Sequence, residues 1–303
     1  MGIEDNVRVV SRHGLVLVML AAATWGTIGV TAKAIDGLVT TTPLSVGFFR
    51  LALAAPALLF SCWLILGREM FRVTRRDVGM MTLIGLMTAL YQVCFFGAIA
   101  RAGAAVAAVM TVCMGPVMVA LLSIYLTGER LTAFVGLALG CALAGTALLV
   151  AGRPNNSMQS ATVSGVGLAL GGALAQAILT LVSRALAGRY HPLQPIAIGF
   201  SVGAVLLLLW TLATGFVVQY PWMGWVLLGY LGFVPTAAAY GLFLTGLRST
   251  PATTASVATL MEPLTSAVLA WLLCGERLGM LAGLGFLLLF SAMGLLVGSR
   301  ERQ

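Results

Sequence analysis

Apolar runs separated by short polar connections fill most of the chain. Ten of these runs are about 20 residues long, which is the length a helix needs to cross the hydrocarbon core of a bilayer. Numbered from the N-terminus, the predicted spans cover residues 14–34, 43–66, 78–100, 104–126, 131–151, 163–186, 192–214, 222–246, 251–274 and 278–298. The pattern therefore predicts an all-α integral membrane protein of ten transmembrane helices, with no separate soluble domain.

The composition agrees with a protein that lies almost entirely within the bilayer. Hydrophobic residues make up 60% of the 303 residues and charged residues only 9%, whereas soluble domains carry about 25% charged residues. The formal net charge of +8 would suit nucleic acid, but the basic residues lie mostly in short connections between spans, as membrane topology requires. We therefore expect the lipid bilayer, and no nucleic acid, as a partner.

The chain repeats itself at a nearly constant offset. The segments TGERL (127–131) and CGERL (274–278) share the letters GERL, and their glycines are 275 − 128 = 147 positions apart. The same offset pairs Gly85 with Gly232, Arg101 with Arg248 and Pro116 with Pro263. Residues 1–151 and 152–303 are therefore predicted to be two copies of one five-helix unit. Because five is odd, the second copy enters from the opposite side of the membrane, an inverted repeat that is common in secondary transporters.

Loop charges without a counterpart in the other copy predict the orientation. Matched basic pairs lie on opposite faces of the membrane, so they favour neither orientation. If the N-terminus is inside, the unmatched cytoplasmic residues are Arg8, Arg12, Arg68, Arg72, Arg75, Arg76, Arg189, Arg300 and Arg302, and Arg153 lies outside. The positive-inside rule then predicts that both termini are cytoplasmic.

The chain resembles the EamA family of the drug/metabolite transporter superfamily in three features. These are the two five-helix units, the GER segment after spans 4 and 9, and the proline at the centre of each of those two spans. The likeness covers essentially the whole chain, and the sequence looks most like the YddG-type bacterial amino-acid exporters. The resemblance implies a multi-pass carrier of the bacterial inner membrane that exports small metabolites without ATP. It implies amino acids, aromatic or apolar ones among them, or related metabolites as substrates.

The sequence lacks the motifs of several other classes of membrane protein. It contains no GxxxxGK[ST] phosphate-binding loop. Its two histidines, His13 and His191, lie at the ends of spans, so no HExxH metal site can form, and no second acid lies deep beside Glu262. We therefore expect a protein that is not an enzyme, with no catalytic residue, cofactor or metal. A channel or a lipid-moving protein built on the same helices is the alternative, although the rings of like charge typical of pores are not found.

Two charged residues lie deep within the predicted spans. Arg50 is about seven residues into span 2, roughly 10 Å below the surface at 1.5 Å per residue, and Glu262 is near the middle of span 9. A charge at the bilayer centre costs about 2.5–3.5 kcal/mol on insertion scales and usually faces a cavity or a partner. We predict that Arg50 binds a substrate carboxylate or a neighbouring carbonyl, and that Glu262 binds an amine or a coupling proton. The alternative for Arg50 is that it snorkels outward to the interface.

Glu262 has a small, polar helical face, which also predicts a role for Thr259. Thr259 and Ser266 lie three residues before and four residues after Glu262, so they share its face. The repeat partner of Glu262 is Gly115, so the fold of the unit does not require a carboxylate at this depth. A structural role is the alternative: Pro263 frees the carbonyl group of Thr259, and a protonated Glu262 could donate to it.

Trp25, Tyr91 and Gln176 lie at the same predicted depth and complete the candidate substrate site. Aromatic residues of membrane helices concentrate at the two interfaces, so Trp25 and Tyr91 near mid-span are unusual. An aromatic pocket with one acid suits a cationic amine, since cation–π contact contributes about 0.5–2 kcal/mol. Packing against neighbouring helices is the alternative for each of them. Tyr240 is predicted nearer the cytoplasmic end of span 8 and is a weaker candidate.

Proline and glycine patterns predict which helices bend and which form a scaffold. Pro116 and Pro263 are predicted to kink spans 4 and 9 at matched depths, where the kinks either gate the cavity or only pack. GxxxG spacings at 136/140, 279/283 and 294/298 favour close helix packing in spans 5 and 10. We expect those two spans to be scaffold or a homo-oligomer contact, and the two GER segments to end helices at the surface.

The predicted topology can be tested with reporter fusions. Reporters placed after Arg302 or within residues 68–76 should report the cytoplasm, and a reporter within 153–160 should report the outside, because of the arginine distribution. If the connections at 68–76 and 153–160 lie on the same side, the arrangement of ten helices as an inverted repeat is wrong.

Overall fold

Helices account for almost all of the chain that the structure describes. The computed structural model describes residues 12–127, 132–151, 163–274 and 279–298. Its α-helices are α1 (Arg12–Trp25), α2 (Thr27–Leu38), α3 (Pro43–Leu66), α4 (Arg75–Ala102), α5 (Ala104–Thr127), α6 (Ala133–Ala151), α7 (Val163–Leu186), α8 (Leu193–Thr214), α9 (Trp222–Gly232), α10 (Ala239–Leu247), α11 (Ala252–Ala258), α12 (Met261–Cys274) and α13 (Met280–Gly298). A 3₁₀ turn (Gly67–Phe71) follows α3, and a π-helical segment (Phe233–Ala238) joins α9 to α10. The predicted GER turns at 128–131 and 275–278 lie outside the described residues.

The prediction of an all-α membrane protein is confirmed in outline. Seven helical stretches are long and apolar enough to cross a membrane: Arg12–Leu38, Pro43–Phe71, Arg75–Ala102, Val163–Leu186, Leu193–Thr214, Trp222–Leu247 and Ala252–Leu273. Three shorter apolar stretches, Met110–Leu126, Ala133–Leu148 and Gly283–Leu296, lie within α5, α6 and α13. The helix bounds differ from those of the predicted spans by only a few residues.

Three of the seven stretches are interrupted, which the apolar pattern does not predict. The first breaks at Gly26, between α1 and α2, and another contains the π-helical segment. The third breaks at Thr259 and Leu260, between α11 and α12, so that Pro263 lies in the first turn of α12. A proline there needs no N–H, whereas in an unbroken helix its ring would clash with the carbonyl group four residues earlier.

The two prolines that match in sequence therefore differ in structure. α5 runs as one helix from Ala104 to Thr127 through Pro116, while the chain is interrupted just before Pro263. The prediction of matched kinks did not anticipate this difference between the halves.

Glycines hold the helix crossings of the bundle close together. α4 packs against α7 and α8, α3 against α8, and α1 against α10. At the α4–α8 crossing, a Cβ atom on Gly85 would overlap the carbonyl oxygen of Gly199. Its repeat partner Gly232 packs on α3, where a Cβ atom would lie 2.8 Å from that of Leu53. Small residues allow such backbone approach where lipid supplies no hydrophobic force between helices.

α6 and α13, which correspond to spans 5 and 10, pack against each other. A Cβ atom on Gly145 of α6 would lie 2.8 Å from the carbonyl oxygen of Gly285 on α13. In contrast, a Cβ atom on Gly136, Gly140 or Gly283 would meet no described atom within 4 Å. The α6–α13 contact agrees with a scaffold, and the homo-oligomer contact stays a prediction.

One group of connections meets at the end of the bundle where α4 begins. The carboxylate of Asp77 accepts hydrogen bonds from the hydroxyl groups of Tyr190 and Thr74, at 2.7 and 2.9 Å, and from Arg189 at 3.1 Å. The guanidinium of Arg248 donates to the carbonyl group of Tyr190 at 2.7 Å. These contacts join the α3–α4, α7–α8 and α10–α11 connections. We call this the Asp77 end, and it is the end predicted to face the cytoplasm.

A second group of connections meets at the opposite end of α3. The hydroxyl groups of Thr41 and Tyr220 lie 2.5 Å apart, and the backbone N–H of Val217 donates to the hydroxyl group of Ser45 at 3.1 Å. These contacts join the α2–α3 connection to the α8–α9 connection. We call this the Tyr220 end, and it is predicted to face the outside.

The close crossing of α4 and α8 predicts a large effect of one methyl group. Gly85→Ala should destabilise the protein by about 1–3 kcal/mol, as overpacking does, because the new atom meets backbone that cannot move aside. Gly79→Ala on the same helix is a matched control, since a Cβ atom there meets no described atom within 4 Å. The control should be neutral or stabilising by up to about 1 kcal/mol. Melting temperatures of the two variants in one detergent measure the difference, and equal values would contradict the crossing.

Candidate functional site

Two interrupted helices cross close to their breaks. Gly26 separates α1 from α2 and packs against the first two turns of α12, just after the second break. A Cβ atom on Gly26 would lie 2.6 Å from the Cβ atom of Thr265 and 2.8 Å from the carbonyl oxygen of Glu262. Only a residue without a side chain allows this approach. The crossing therefore fixes Glu262 beside the break in the first helix, next to Trp25.

The break before Glu262 leaves its carboxyl group unused by the fold. The backbone N–H of Glu262 donates to the carbonyl group of Thr259 at 3.0 Å, and the hydroxyl group of Thr259 donates to the carbonyl group of Ser256 at 2.6 Å. Among the described residues, no donor lies within hydrogen-bond distance of the Glu262 carboxyl group. The carbonyl group of Thr259, which Pro263 was predicted to leave without a partner, thus accepts a backbone hydrogen bond. The side chain of Glu262 does not donate to it.

Arg50 lies in α3 and reaches the π-helical segment. Its Nε donates to the hydroxyl group of Thr236 at 3.3 Å, and that hydroxyl group donates to the carbonyl group of Leu231 at 2.7 Å. Thr236 is fully buried, and its side-chain hydroxyl group reaches a carbonyl group five residues earlier, within the π-helical region. The π segment therefore positions a hydroxyl oxygen that accepts from Arg50 inside the bundle.

Arg50 and Glu262 share one electrostatic environment with two tyrosines. The charges of Arg50 and Glu262 act on each other, and both act on Tyr91 and Tyr240. No carboxylate oxygen of Glu262 lies within 4.0 Å of the Arg50 guanidinium in the described part of the chain. All four side chains are surrounded by protein and yet partly exposed. This combination is expected of side chains that line an internal opening.

An aromatic wall borders this group of charges. The ring of Tyr240 lies 4.9 Å from that of Trp25 and 4.8 Å from that of Phe200, and Trp25 lies 5.3 Å from Phe243. Tyr91 stacks on Phe95 at 5.8 Å. These separations are those of favourable aromatic pairs. The phenol groups of Tyr91 and Tyr240 thus lie between an apolar wall and the two charges.

Two buried polar atoms of this region have no partner among the described residues. The indole nitrogen of Trp25 is buried without an acceptor, and Oε1 of Gln92 is buried without a donor. Gln92 follows Tyr91 in α4 and lies against Gly47, one turn before Arg50. A buried donor or acceptor without a partner costs about 1–3 kcal/mol, so both atoms could gain from a ligand or ordered water.

The structure brings most of the predicted site residues together. Arg50, Tyr91 and Glu262 interact electrostatically, and Trp25 contacts this group through Tyr240. Gln176 lies on α7, where its neighbours Ala175 and Leu179 pack in one cluster with Tyr91 and Tyr240. Thr259 lies in the break before Glu262, and Pro116 lies within α5, next to the repeat partner of Glu262.

Tyr240 and Thr236 are the residues that sequence reasoning ranked too low or missed. A π segment places an extra residue in the turn, so the helix faces after it differ from those of a continuous α-helix. Tyr240 follows this segment and therefore lies against Trp25. Pro235 within an apolar span was the one local signal of such an irregularity.

The arrangement is suited to binding a small molecule. It offers one cation, one anion, two phenol groups and an apolar wall, contributed by α1, α3, α4, α8, α10 and α12. Within the described residues, no group of three or more His, Cys, Asp and Glu side chains is placed to hold a metal ion.

The comparisons with known proteins agree with a membrane carrier. The model of the EamA-like transporter family matches residues 12–151 and again residues 163–298. A solved crystal structure superposes on 96% of this chain and 99% of its own with a TM-score of 0.81. Its sequence is 18% identical, so that likeness shows the fold alone.

Relatives named as transporters match along nearly the whole chain. YwfM of Bacillus subtilis, an uncharacterized transporter, is 34% identical over 282 residues, which cover 92% of this chain and 91% of the relative. YicL of Salmonella typhimurium, an uncharacterized inner membrane transporter, is 28% identical over 299 residues, which cover 96% of this chain and 98% of the relative. A transporter of Archaeoglobus fulgidus is 29% identical over 96% of this chain and 97% of its own. With both halves matched by one family model, the chain belongs to the EamA-like transporter family.

Proposed function

We propose that the protein is a secondary transporter that exports amino acids, aromatic or apolar ones among them, or related small metabolites across the bacterial inner membrane. The amino-acid substrate and the outward direction come from the resemblance to the YddG-type exporters. The family match and the transporter relatives support the coarser function of a membrane transporter.

The observation that carries the proposal is the separation of Arg50 from Glu262. Two opposite charges in a membrane-embedded site are expected to form an ion pair unless something belongs between them, because each unpaired charge is costly there. We propose that a zwitterion binds between them, with its carboxylate on Arg50 and its amine on Glu262. The wall of Trp25, Phe200 and Tyr240 then faces the side chain of the substrate.

The proposed mechanism is alternating access between two inverted five-helix repeats, residues 1–151 and 152–303. Support comes from the connections that meet at each end. The α3–α4 connection of the first half meets the α7–α8 connection of the second, and the α2–α3 connection meets the α8–α9 connection. Repeats of the same orientation would bring the α3–α4 and α8–α9 connections to one end. Instead they lie at opposite ends, which supports an inverted arrangement.

Arg50→Gln tests the carboxylate half of the site. The variant should lose about ten- to a hundredfold in transport, since hydrogen bonds to a charged group contribute about 1.5–3 kcal/mol. Uptake of a panel of amino acids into liposomes that contain equal amounts of folded protein measures the loss. Arg72→Gln is the control, because Arg72 is an exposed arginine paired only with the neighbouring Glu69 in the described structure. Unchanged transport in Arg50→Gln would assign Arg50 a structural role.

Glu262→Gln tests the amine half of the site. Glutamine keeps the shape of the side chain, and the described fold does not use the carboxyl group, so the variant should fold. If Glu262 holds the amine, substrate binding should weaken both in net transport and in counterflow. If Glu262 carries a coupling proton instead, pH-dependent transport should disappear while counterflow stays.

Counterflow in the same liposomes also separates the alternatives. A carrier gives saturable counterflow, whereas a channel does not, and a lipid-moving protein gives no amino-acid signal. Wild-type kinetics together with a wild-type pH profile in Glu262→Gln would remove Glu262 from the site.

A further inference from the structure

Basic residues concentrate in one short stretch at the Asp77 end of the bundle. The 3₁₀ turn after α3, the connection to α4 and the first turn of α4 make up residues 67–77, which we call the arginine segment. Four of the 17 basic residues of the chain lie in it: Arg68, Arg72, Arg75 and Arg76. All four are exposed, so the segment presents a strongly basic surface.

The two acidic residues of the arginine segment leave most of this charge unpaired. Asp77 is buried and already accepts three hydrogen bonds from its neighbours. Glu69 lies 3.4 Å from Arg72, but the two side chains are largely exposed, and exposed ion pairs contribute little. Three arginines have no ion-pair or hydrogen-bond partner in the part of the chain that the structure describes: Arg68, Arg75 and Arg76.

The arginine segment is a folded turn that is fixed to the bundle. Gly67 ends α3 with a φ of 53°, which favours glycine, and its N–H donates back to the last turn of α3. In the 3₁₀ turn that follows, Met70 is buried and its carbonyl group accepts a hydrogen bond from Nε2 of Gln194 at 2.8 Å. The turn is therefore anchored to α8 through Met70, while Arg68 stays exposed.

The repeat counterpart of the arginine segment carries no charge. Gly215 ends α8 with a φ of 122° and donates its N–H in the same way, and it lies 215 − 67 = 148 positions after Gly67. The same offset makes residues 215–225 (GFVVQYPWMGW) the counterpart, and they include no Arg, Lys, Asp or Glu. The fold of the unit thus uses the glycine turn in both copies but does not require the arginines.

Large apolar side chains flank the arginines at the end of α3. Trp63 is 52% exposed and Phe71 is 76% exposed, and Leu64 and Ile65 are exposed beside them. Trp63 lies three residues before the end of α3, which is about 5 Å at 1.5 Å per residue, and tryptophan favours the interface between membrane and water. Hydrocarbon chains suit these apolar side chains, and the arginines follow directly in the sequence.

The two features together match the chemistry of an anionic phospholipid. Arginine binds phosphate through paired N–H groups, and clusters of basic residues next to a membrane helix attract anionic lipids. A soluble phosphate compound would use the arginines but not the apolar side chains. The positive-inside rule requires basic charge on one side of the membrane, but it requires neither a fixed turn nor exposed aromatic rings.

We propose that the arginine segment binds an anionic phospholipid, with Arg68, Arg75 and Arg76 on the phosphate and with Trp63 and Phe71 against the acyl chains. The bound lipid stabilises the Asp77 end of the bundle. This binding is independent of which solute the protein transports.

Lipid titrations of the purified full chain test this surface. The protein is held in a neutral detergent, and its melting temperature is followed as phosphatidylglycerol, or phosphatidylcholine with the same acyl chains, is added. A ligand that binds the folded state raises the melting temperature, so phosphatidylglycerol should act at lower concentrations. Detergent micelles have no inside or outside, so the effect of the arginines on orientation does not enter the measurement.

Replacing both Arg75 and Arg76 by glutamine should weaken the response to phosphatidylglycerol about 25-fold, since each basic residue near the surface contributes about fivefold. The melting temperature without lipid should not change, because both side chains are exposed. The matched control replaces Arg300 and Arg302, which removes two charges from the C-terminal end of the chain. The control should respond to phosphatidylglycerol as the unmodified protein does.

Three results would overturn the lipid site. Equal losses in the two double variants would show that net charge alone attracts the lipid. Equal stabilisation by the two lipids would remove the headgroup charge from the interaction. Equal stabilisation by soluble glycerol 3-phosphate at the same concentration would assign the arginines to a soluble phosphate compound. If the Arg75 and Arg76 variant does not fold, Arg68→Gln repeats the test with an expected loss of about fivefold.

Discussion

A helix that is interrupted inside a bilayer leaves backbone N–H and C=O groups that the hydrocarbon cannot satisfy, so such breaks persist only where protein or a cavity surrounds them. Here one break lies against the helix that follows the other. A glycine at position 26 leaves room for the first two turns of α12. Glu262 and Trp25 both owe their positions to this contact. A side chain at position 26 would push α12 away and separate the two helices that carry the site.

The separation of Arg50 from Glu262 places two unpaired charges beside this crossing, where they could bind a solute. Arg50 is held by Thr236, whose hydroxyl group is in turn held by the π segment. Glu262 is held through the backbone of α12 and leaves its carboxyl group unpaired within the described residues. Thr236, which holds Arg50, and the backbone of α12, which holds Glu262, belong to different helical segments. The fold can therefore keep the two opposite charges apart although they attract each other. The candidate site thus depends on irregular backbone, whereas regular helices surround it.

The sequence predicted the helices well because hydrophobic length is a strong signal in membrane proteins. It also assigned Arg50, Tyr91 and Glu262 to one candidate site, because all three lie deep within their spans. It did not predict the position of the breaks. Pro116 and Pro263 are matched in the repeat, yet the helix is interrupted only before Pro263. Whether a helix breaks before its proline depends on the neighbouring helices that pack against it, which the local sequence does not specify. Tyr240 was ranked low for a related reason: depth was counted along an ideal α-helix, and the π segment changes the face on which Tyr240 lies.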